Sequence, residues 1–290
     1  MACKQIIELL KVVLLFVVVN GILGCANESG GINWKALEKA EADRLERFKQ
    51  MTLSEMPIEA VYPDQGLREL ARAAKSGQID RVEYLVREGQ SVDATGTYGV
   101  GALWWPLTKN MYWNDREREL EGFTKLLDLG ADPNRVFDGT SVIHFAASLG
   151  EIEFLKVLFQ YGANPNLRAG PNQETPLFSA QRADQISGIK AIDLLLSEGA
   201  DIDAQAFAKD PTRSLVSGRT VVMVAVARIQ YEVALHLLRR GADFRIEDDS
   251  GDTLLDILRR QKERLPDHNE DKGLESVIDW LASRGVYLPK

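Results

Sequence analysis

The apolar positions of this chain fall into three regimes. Residues 12–19 form one unbroken apolar run, Val-Val-Leu-Leu-Phe-Val-Val-Val. It is too short for a spanning helix, which needs about 20 apolar residues. Lys4 and Lys11 lie before or at its start and a glycine-bearing stretch, residues 21–24, follows it, so it predicts the apolar segment of a secretion signal. Residues 26–32, with Asn27, Ser29, Gly30 and Gly31, read as a flexible tether. Next, Trp34, Leu37, Leu45, Phe48 and Met51 recur at helical spacing among many charges, and Asn33 can cap the amphipathic helix they predict. From Leu67 onward the pattern changes again. Short helical-period segments come in pairs, each pair closes on a glycine, and the same order then recurs.

The clearest unit runs from Asp138-Gly139-Thr140-Ser141-Val142-Ile143-His144-Phe145-Ala146-Ala147 through Gly150 and Phe159 to Gly162-Ala163-Asn164-Pro165-Asn166. Others match it in register. Leu70, Ala73, Ala74, Gly77, Val82, Leu85 and Gly89 form the first. Pro106, Leu107, Leu126, Leu127 and Gly130-Ala131-Asp132-Pro133-Asn134 form the second. Thr175-Pro176-Leu177, Leu194 to Leu196 and Gly199-Ala200-Asp201 form the fourth, and Thr220, Val222, Ala225, Leu237 and Gly241-Ala242-Asp243 the fifth. A degenerate sixth runs from Asp252-Thr253-Leu254-Leu255 to Arg284-Gly285-Val286. This unit resembles the ankyrin repeat: a turn, a Thr-Pro-Leu-His-like helix start, paired small residues, a glycine, a second helix, then Gly-Ala-Asp. The resemblance implies an all-α solenoid of about six helix-turn-helix units with hairpin-like finger loops between them. The expected division is 1–24 signal, 25–65 tether and N-terminal helix, and 66–290 repeats.

Each position has a physical reason. Ala146 and Ala147 let paired helices approach closely, and Leu194 and Leu195 fill the core between units. Gly162 and Gly199 end helices in the left-handed conformation. Thr175-Pro176 starts a helix, with threonine as cap and proline in the first turn. No unit buries its apolar face alone, so stacking supplies the stability and the irregular sixth unit suits an end cap.

Departures from regularity mark candidate binding positions. The same separation divides Leu70 from Gly89, Ile143 from Gly162 and Val222 from Gly241, whereas Leu107 to Gly130, Leu177 to Gly199 and Leu255 to Gly285 are longer. Insertions in a solenoid fall in loops, often on a binding face. The second unit carries Trp104, Trp105, Met111, Tyr112 and Trp113, which includes three of the chain's 5 tryptophans. Large rigid rings are favoured anchors, so Trp104, Trp105, Tyr112 and Trp113 are candidate partner contacts. For Trp104 and Trp105 the competing role is a plug in the core between repeats. The long link from Asp203 to Thr220 holds Phe207, Lys209, Arg213 and Arg219, and Phe207 and Arg213 join the candidates. The competing role there is a solvated loop.

Charge and cysteine usage narrow the function. The net charge of −8 disfavours phosphate backbones and hence nucleic acid. The 2 cysteines, Cys3 and Cys25, both precede the repeats, so the body of the chain holds no thiolate metal site or disulfide framework. Ile22-Leu23-Gly24-Cys25 resembles the lipobox of bacterial lipoproteins. That resemblance implies a diacylglycerol on Cys25, cleavage before it and anchorage to the envelope facing the periplasm. Ala26, in place of aspartate, suits outer-membrane sorting. Each buried acyl methylene contributes about 0.8 kcal/mol, so several chains anchor stably.

His144, His236 and His268 are dispersed, and no nucleophile elbow, phosphate loop or His-Glu-x-x-His motif occurs. His144 stands where the repeat family has a histidine bonded to backbone between units. Runs of Asp and Glu read as solvated helix faces. A non-enzymatic, cofactor-free protein-binding scaffold is therefore expected. Lipid-anchored repeat proteins of this kind resemble immunity partners of secreted antibacterial toxins, including phospholipase effectors of type VI secretion. The alternative is an envelope scaffold or a stress or oxidant-defence factor.

Overall fold

The computed structural model describes residues 57–108, 115–137, 139–207, 217–264 and 272–289. Cys25, the amphipathic segment 34–51, Tyr112, Trp113 and Arg213 lie outside the described residues. Residues Ile58–Lys290 form a compact unit. A one-turn helix, α1 (Ile58–Val61), buries Ile58 and Val61. Helix pairs follow: α2 (Gln65–Lys75) with α3 (Ile79–Arg87), a 3₁₀ helix (Ala102–Leu107) with α4 (Arg116–Asp128), and α5 (Val142–Leu149) with α6 (Ile152–Gln160). Then come α7 (Pro176–Ala180) with α8 (Gln185–Ser197), α9 (Val221–Ala227) with α10 (Tyr231–Arg239), and α11 (Leu254–Arg264) with α12 (Lys272–Ala282). Second helices pack in succession, α3 on α4, α4 on α6, α6 on α8, α8 on α10 and α10 on α12.

Local chemistry sets the helix ends. Asp64 Oδ1 accepts the Leu67 amide at 2.7 Å, and Asp184 Oδ1 accepts Ile186 and Ser187 amides at 3.2 and 3.1 Å, each filling an orphan donor of a first turn. At the other end Gly162 adopts φ +80°, which lets the Ala163 amide reach back to Leu158 O at 3.0 Å. The same closing bond recurs as Gln90 to Leu85, Ala131 to Leu126, Ala200 to Leu195, Ala242 to Leu237 and Val286 to Leu281. The second helix of the degenerate sixth unit thus closes with the same bond as the others.

The Gly-Ala-Asx-x-Asx motif stitches units together. The first Asx caps its own turn: Asp132 Oδ1 accepts Asn134 N at 2.8 Å. The second reaches the next repeat: Asn134 Oδ1 accepts Asn164 N at 2.7 Å, Asn166 Oδ1 accepts Asp201 N at 2.8 Å and Asp203 Oδ1 accepts Asp243 N at 2.8 Å. The two asparagines also donate, Asn134 Nδ2 to Gly162 O at 3.0 Å and Asn166 Nδ2 to Gly199 O at 2.9 Å.

The core runs along the stack through Leu70, Val82, Leu126, Ile143, Leu155, Leu158, Leu195, Val222, Leu237 and Leu258, all essentially sealed from solvent. Each such side chain contributes about 1.5–3 kcal/mol by burial. Helices approach so closely that a Cβ on Gly122 of α4 would lie 1.7 Å from Ala74 O of α2.

Three expectations need correction here. The second repeat starts four residues earlier than its Pro106-Leu107 pair implied. Gly101 caps its first helix and bridges Thr95, as Thr175 and Thr220 cap theirs, so Leu103 takes the place of Ile143. Pro106 cannot donate and its ring would strike the carbonyl four residues back, which excludes an α-helix and leaves a 3₁₀ turn. Thr175 sits at the cap position but makes no side-chain cap bond. Its Oγ1 is buried without a partner. Glu119, in a run read as a solvated face, is 2% exposed and bound to two cations.

Candidate protein-binding surface

Fingers between repeats form one braced edge. The second finger is a two-residue ladder, β1 (Val136–Phe137) with β2 (Thr140–Ser141). Its Gly139 lies against Gly170 of the next finger, where a Cβ would meet Gly170 Cα at 3.3 Å. The third finger bonds to the fourth through Phe207 N to Asn172 O at 2.7 Å and Arg168 Nη1 to Gln205 O at 2.8 Å. The fourth bonds to the fifth through Gln205 Nε2 to Glu247 O at 2.9 Å and Arg219 Nε to Asp248 Oδ2 at 3.0 Å. Backbone that would fray as single loops is thereby fixed finger to finger.

This edge presents specific side chains. Phe207 is 47% exposed, and the Arg168 guanidinium lies 5.2 Å from its ring centroid. Val136 is 45% exposed on the second finger. At matching finger positions Val136, Arg168 and Glu247 are exposed and their successors Phe137, Ala169 and Asp248 are buried, while in the first finger exposed Thr95 precedes half-buried Gly96 and in the fourth half-buried Gln205 precedes buried Ala206. Phe207 was expected from sequence; Val136 and Arg168 were missed. The signal for them was the alternation that follows each closing glycine, which only a registered set of fingers makes legible. Arg219, grouped with the basic residues of this link, is spent on the buried Asp248 carboxylate. That ion pair and the amides of Ser250 and Asp252 hold the Asp248 carboxyl below its usual range against the opposing effect of burial.

The tryptophans divide. Trp104 occupies the register position of His144 and is 2% exposed, with its ring centroid 4.8 Å from that of Phe145. It is a plug between repeats and offers no surface to a partner, which corrects its place among the candidate contacts. Trp105 is half-buried, with Tyr62 edge-on at 5.8 Å and Trp104 at 6.3 Å. Tyr62 is sealed, donates its hydroxyl to Gly101 O at 2.8 Å, and has its phenol pKa pushed well up by burial.

Two buried polar groupings are structural. His144 Nε2 lies 3.0 Å from Glu174 O, a pure acceptor, so Nε2 carries the proton and Nδ1 accepts from Ser141 Oγ at 2.8 Å. Burial lowers the His144 pKa and keeps the ring neutral. Glu119 accepts Lys75 at 3.1 Å and Arg116 at 2.6 Å, and Arg116 also pairs with Glu151. Burial lowers the Lys75 pKa, and the charge of Glu119 opposes that shift. The cluster ties α2, α4 and α6 together. Both groupings are bonded to protein partners, and the Ser141 hydroxyl beside His144 is itself sealed from solvent.

Residues 115–206 match the family model of ankyrin repeats in three copies. Protein PhlB of Serratia liquefaciens is 37% identical over 71 residues, 24% of this chain and 31% of that protein. The chain spans no more than about a third of the length of the curated relatives it matches. The ankyrin repeat domain of Bcl-3 superposes with a TM-score of 0.59 at 21% identity, covering 75% of this chain and 86% of that one. A chain from the complex of a predatory endopeptidase of Bdellovibrio bacteriovorus with an immunity protein superposes with a TM-score of 0.52 at 19% identity, covering 72% and 97%. The chain carries ankyrin repeats, and its described residues fold as an ankyrin-repeat solenoid.

Proposed function

We propose that this chain is a lipid-anchored envelope protein whose repeats bind a secreted antibacterial effector and neutralise it. The observation that carries the binding half is the braced finger edge. Val136 and Phe207 are held exposed on backbone tied to neighbouring fingers, so a partner gains their burial at little ordering cost. The immunity half draws support from the fold shared with a chain of an endopeptidase–immunity complex. The lipobox-like Ile22-Leu23-Gly24-Cys25 supports anchorage through Cys25, facing the periplasm of the outer membrane. A phospholipase is the effector class we infer, because its target would bring toxin and anchored binder to one surface. Tyr112, Trp113 and Arg213 extend the proposed contact beyond the described residues, and Trp105 remains in it.

The test is genetic and biochemical. Cells lacking the gene should be killed by effector-delivering sister cells, and removal of the effector gene should relieve the need. Cys25→Ser should move the protein from membrane to soluble fractions. A gene still required after every candidate effector is removed would favour an envelope scaffold instead.

A further inference from the structure

The finger edge carries a cation with no carboxylate beside it among the described residues. Arg135, Arg168, Arg219 and Arg245 are the arginines on the described parts of the fingers. Arg135 lies 3.9 Å from Asp93, Arg219 pairs with Asp248 at 3.0 Å and Arg245 with Asp243 at 2.8 Å. Arg168, on the third finger, instead bonds neutral carbonyls. Its Nη1 donates to Gln173 O at 3.0 Å and to Gln205 O at 2.8 Å. The carboxylate of its own finger, Glu174, is held elsewhere, by Arg182 Nη2 at 3.1 Å and Asn172 Nδ2 at 3.2 Å. Nε and Nη2 of Arg168 donate to no described residue, and the side chain is exposed.

The guanidinium is nevertheless fixed. Its two bonds tie the third finger to the fourth, and its carbon lies 5.2 Å from the Phe207 ring centroid. A free surface arginine loses rotamer freedom when it binds; here that ordering is already present in the unbound protein. Thr95, Val136, Gln205 and Glu247 hold the matching position on the other fingers, so among the described residues Arg168 is the cation of that row. In finger order it stands between Val136 on the second and Phe207 on the fourth, both exposed apolar side chains.

Resting on the reading of the finger edge as the partner surface, we propose that Arg168 sets its specificity and takes a side-chain carboxylate of the protein partner, an aspartate or glutamate with apolar neighbours. The planar fork of guanidinium N–H donors matches the two oxygens of a carboxylate. Docking over Val136 and Phe207 excludes water, and opposite charges attract more strongly in the drier contact.

The probe is a phage-displayed library of random dodecapeptides, selected on the full chain. Clones whose binding is lost with Val136→Ser plus Phe207→Ser are the ones bound at the finger edge. An acidic residue with apolar neighbours should dominate them. In a synthetic copy of the leading peptide, changing the acid to its amide should weaken binding about fivefold, as loss of an exposed charge pair does. Arg168→Met should abolish that difference, and Arg168→Lys, which keeps the charge without the fork, should retain part of it. A merely bracing Arg168 would weaken the acid and amide peptides alike. If Arg168→Met fails to fold, Arg168→Lys against the unaltered chain reads the effect. Edge-bound clones without acidic preference, a preference that survives Arg168→Met, parallel losses for both peptides, or no edge-bound clone at all would overturn the proposal. No effector enters the selection, so its result and the genetic test of immunity succeed or fail separately.

Discussion

Ser141 and Thr220 occupy the same position in different repeats, yet their hydroxyls have opposite fates. Ser141 Oγ has His144 three residues on, whereas Thr220 has Met223 there and its Oγ1 is buried without a partner. Ser141→Ala should cost about 1–3 kcal/mol, because Nδ1 of a buried imidazole loses its donor. Thr220→Val removes an orphan and should be neutral or stabilising by up to about 1 kcal/mol. Urea unfolding of both variants checks the contrast, and equal losses would refute it. Asp203 makes a second case. It receives the Asp243 amide but, unlike Asn134 and Asn166, has no Nδ2 to give the following glycine. Burial raises its carboxyl pKa, with Asp201 and Asp243 adding to the rise. A raised folded pKa means that the protonated form is favoured in the fold. Its stabilisation is complete below the unfolded carboxylate pKa and is lost as pH climbs through the folded one. Solvent screens this half-buried carboxylate, so Asp203→Asn should stabilise at neutral pH by no more than about 0.5–1 kcal/mol, and the gain should shrink as the medium is acidified. Melting curves between acid and neutral pH would show the crossover.

At the scale of elements, close approach and turn geometry dominate. Gly122→Ala places a methyl into the Ala74 carbonyl, so α4 must back away from α2 at a cost of about 1–3 kcal/mol or more, seen as a lowered urea midpoint. Ile229→Gly relieves a left-handed turn and should raise stability by about 0.5–1 kcal/mol after the added freedom of the unfolded chain is subtracted. A fall in the melting temperature of that variant would mean that the Ile229 side chain contributes packing that outweighs its backbone strain. The helix register of the second repeat belongs to this scale too. Pro106-Leu107 imitates the Thr-Pro-Leu start, but Leu103 and Leu107 both point inward, so the apolar pattern fits two registers. Only the bridge of Gly101 to Thr95 decides between them.

Across the whole molecule, the fingers act together. Val136→Ser with Phe207→Ser should weaken partner binding tenfold or more, roughly 1.4 kcal/mol, and leave the melting temperature nearly unchanged, since both side chains are about half exposed. Pull-down from envelope extracts followed by binding titration reads the first effect and calorimetry the second. A large stability loss with intact binding would make these residues part of the core.

The chain by itself determined the repeat: the closing glycines, the paired alanines, the Asx positions and the leucines act within a few residues of one another, and local geometry is enough to place them. It also marked Phe207, whose link is conspicuously long. It did not determine that Trp104 is sealed while Val136 is exposed, that Glu119 is enclosed by Lys75 and Arg116, or that Arg168 is left without a carboxylate among the described residues. Burial and satisfaction are sums over neighbours tens of residues away, and those neighbours meet only when the repeats stack.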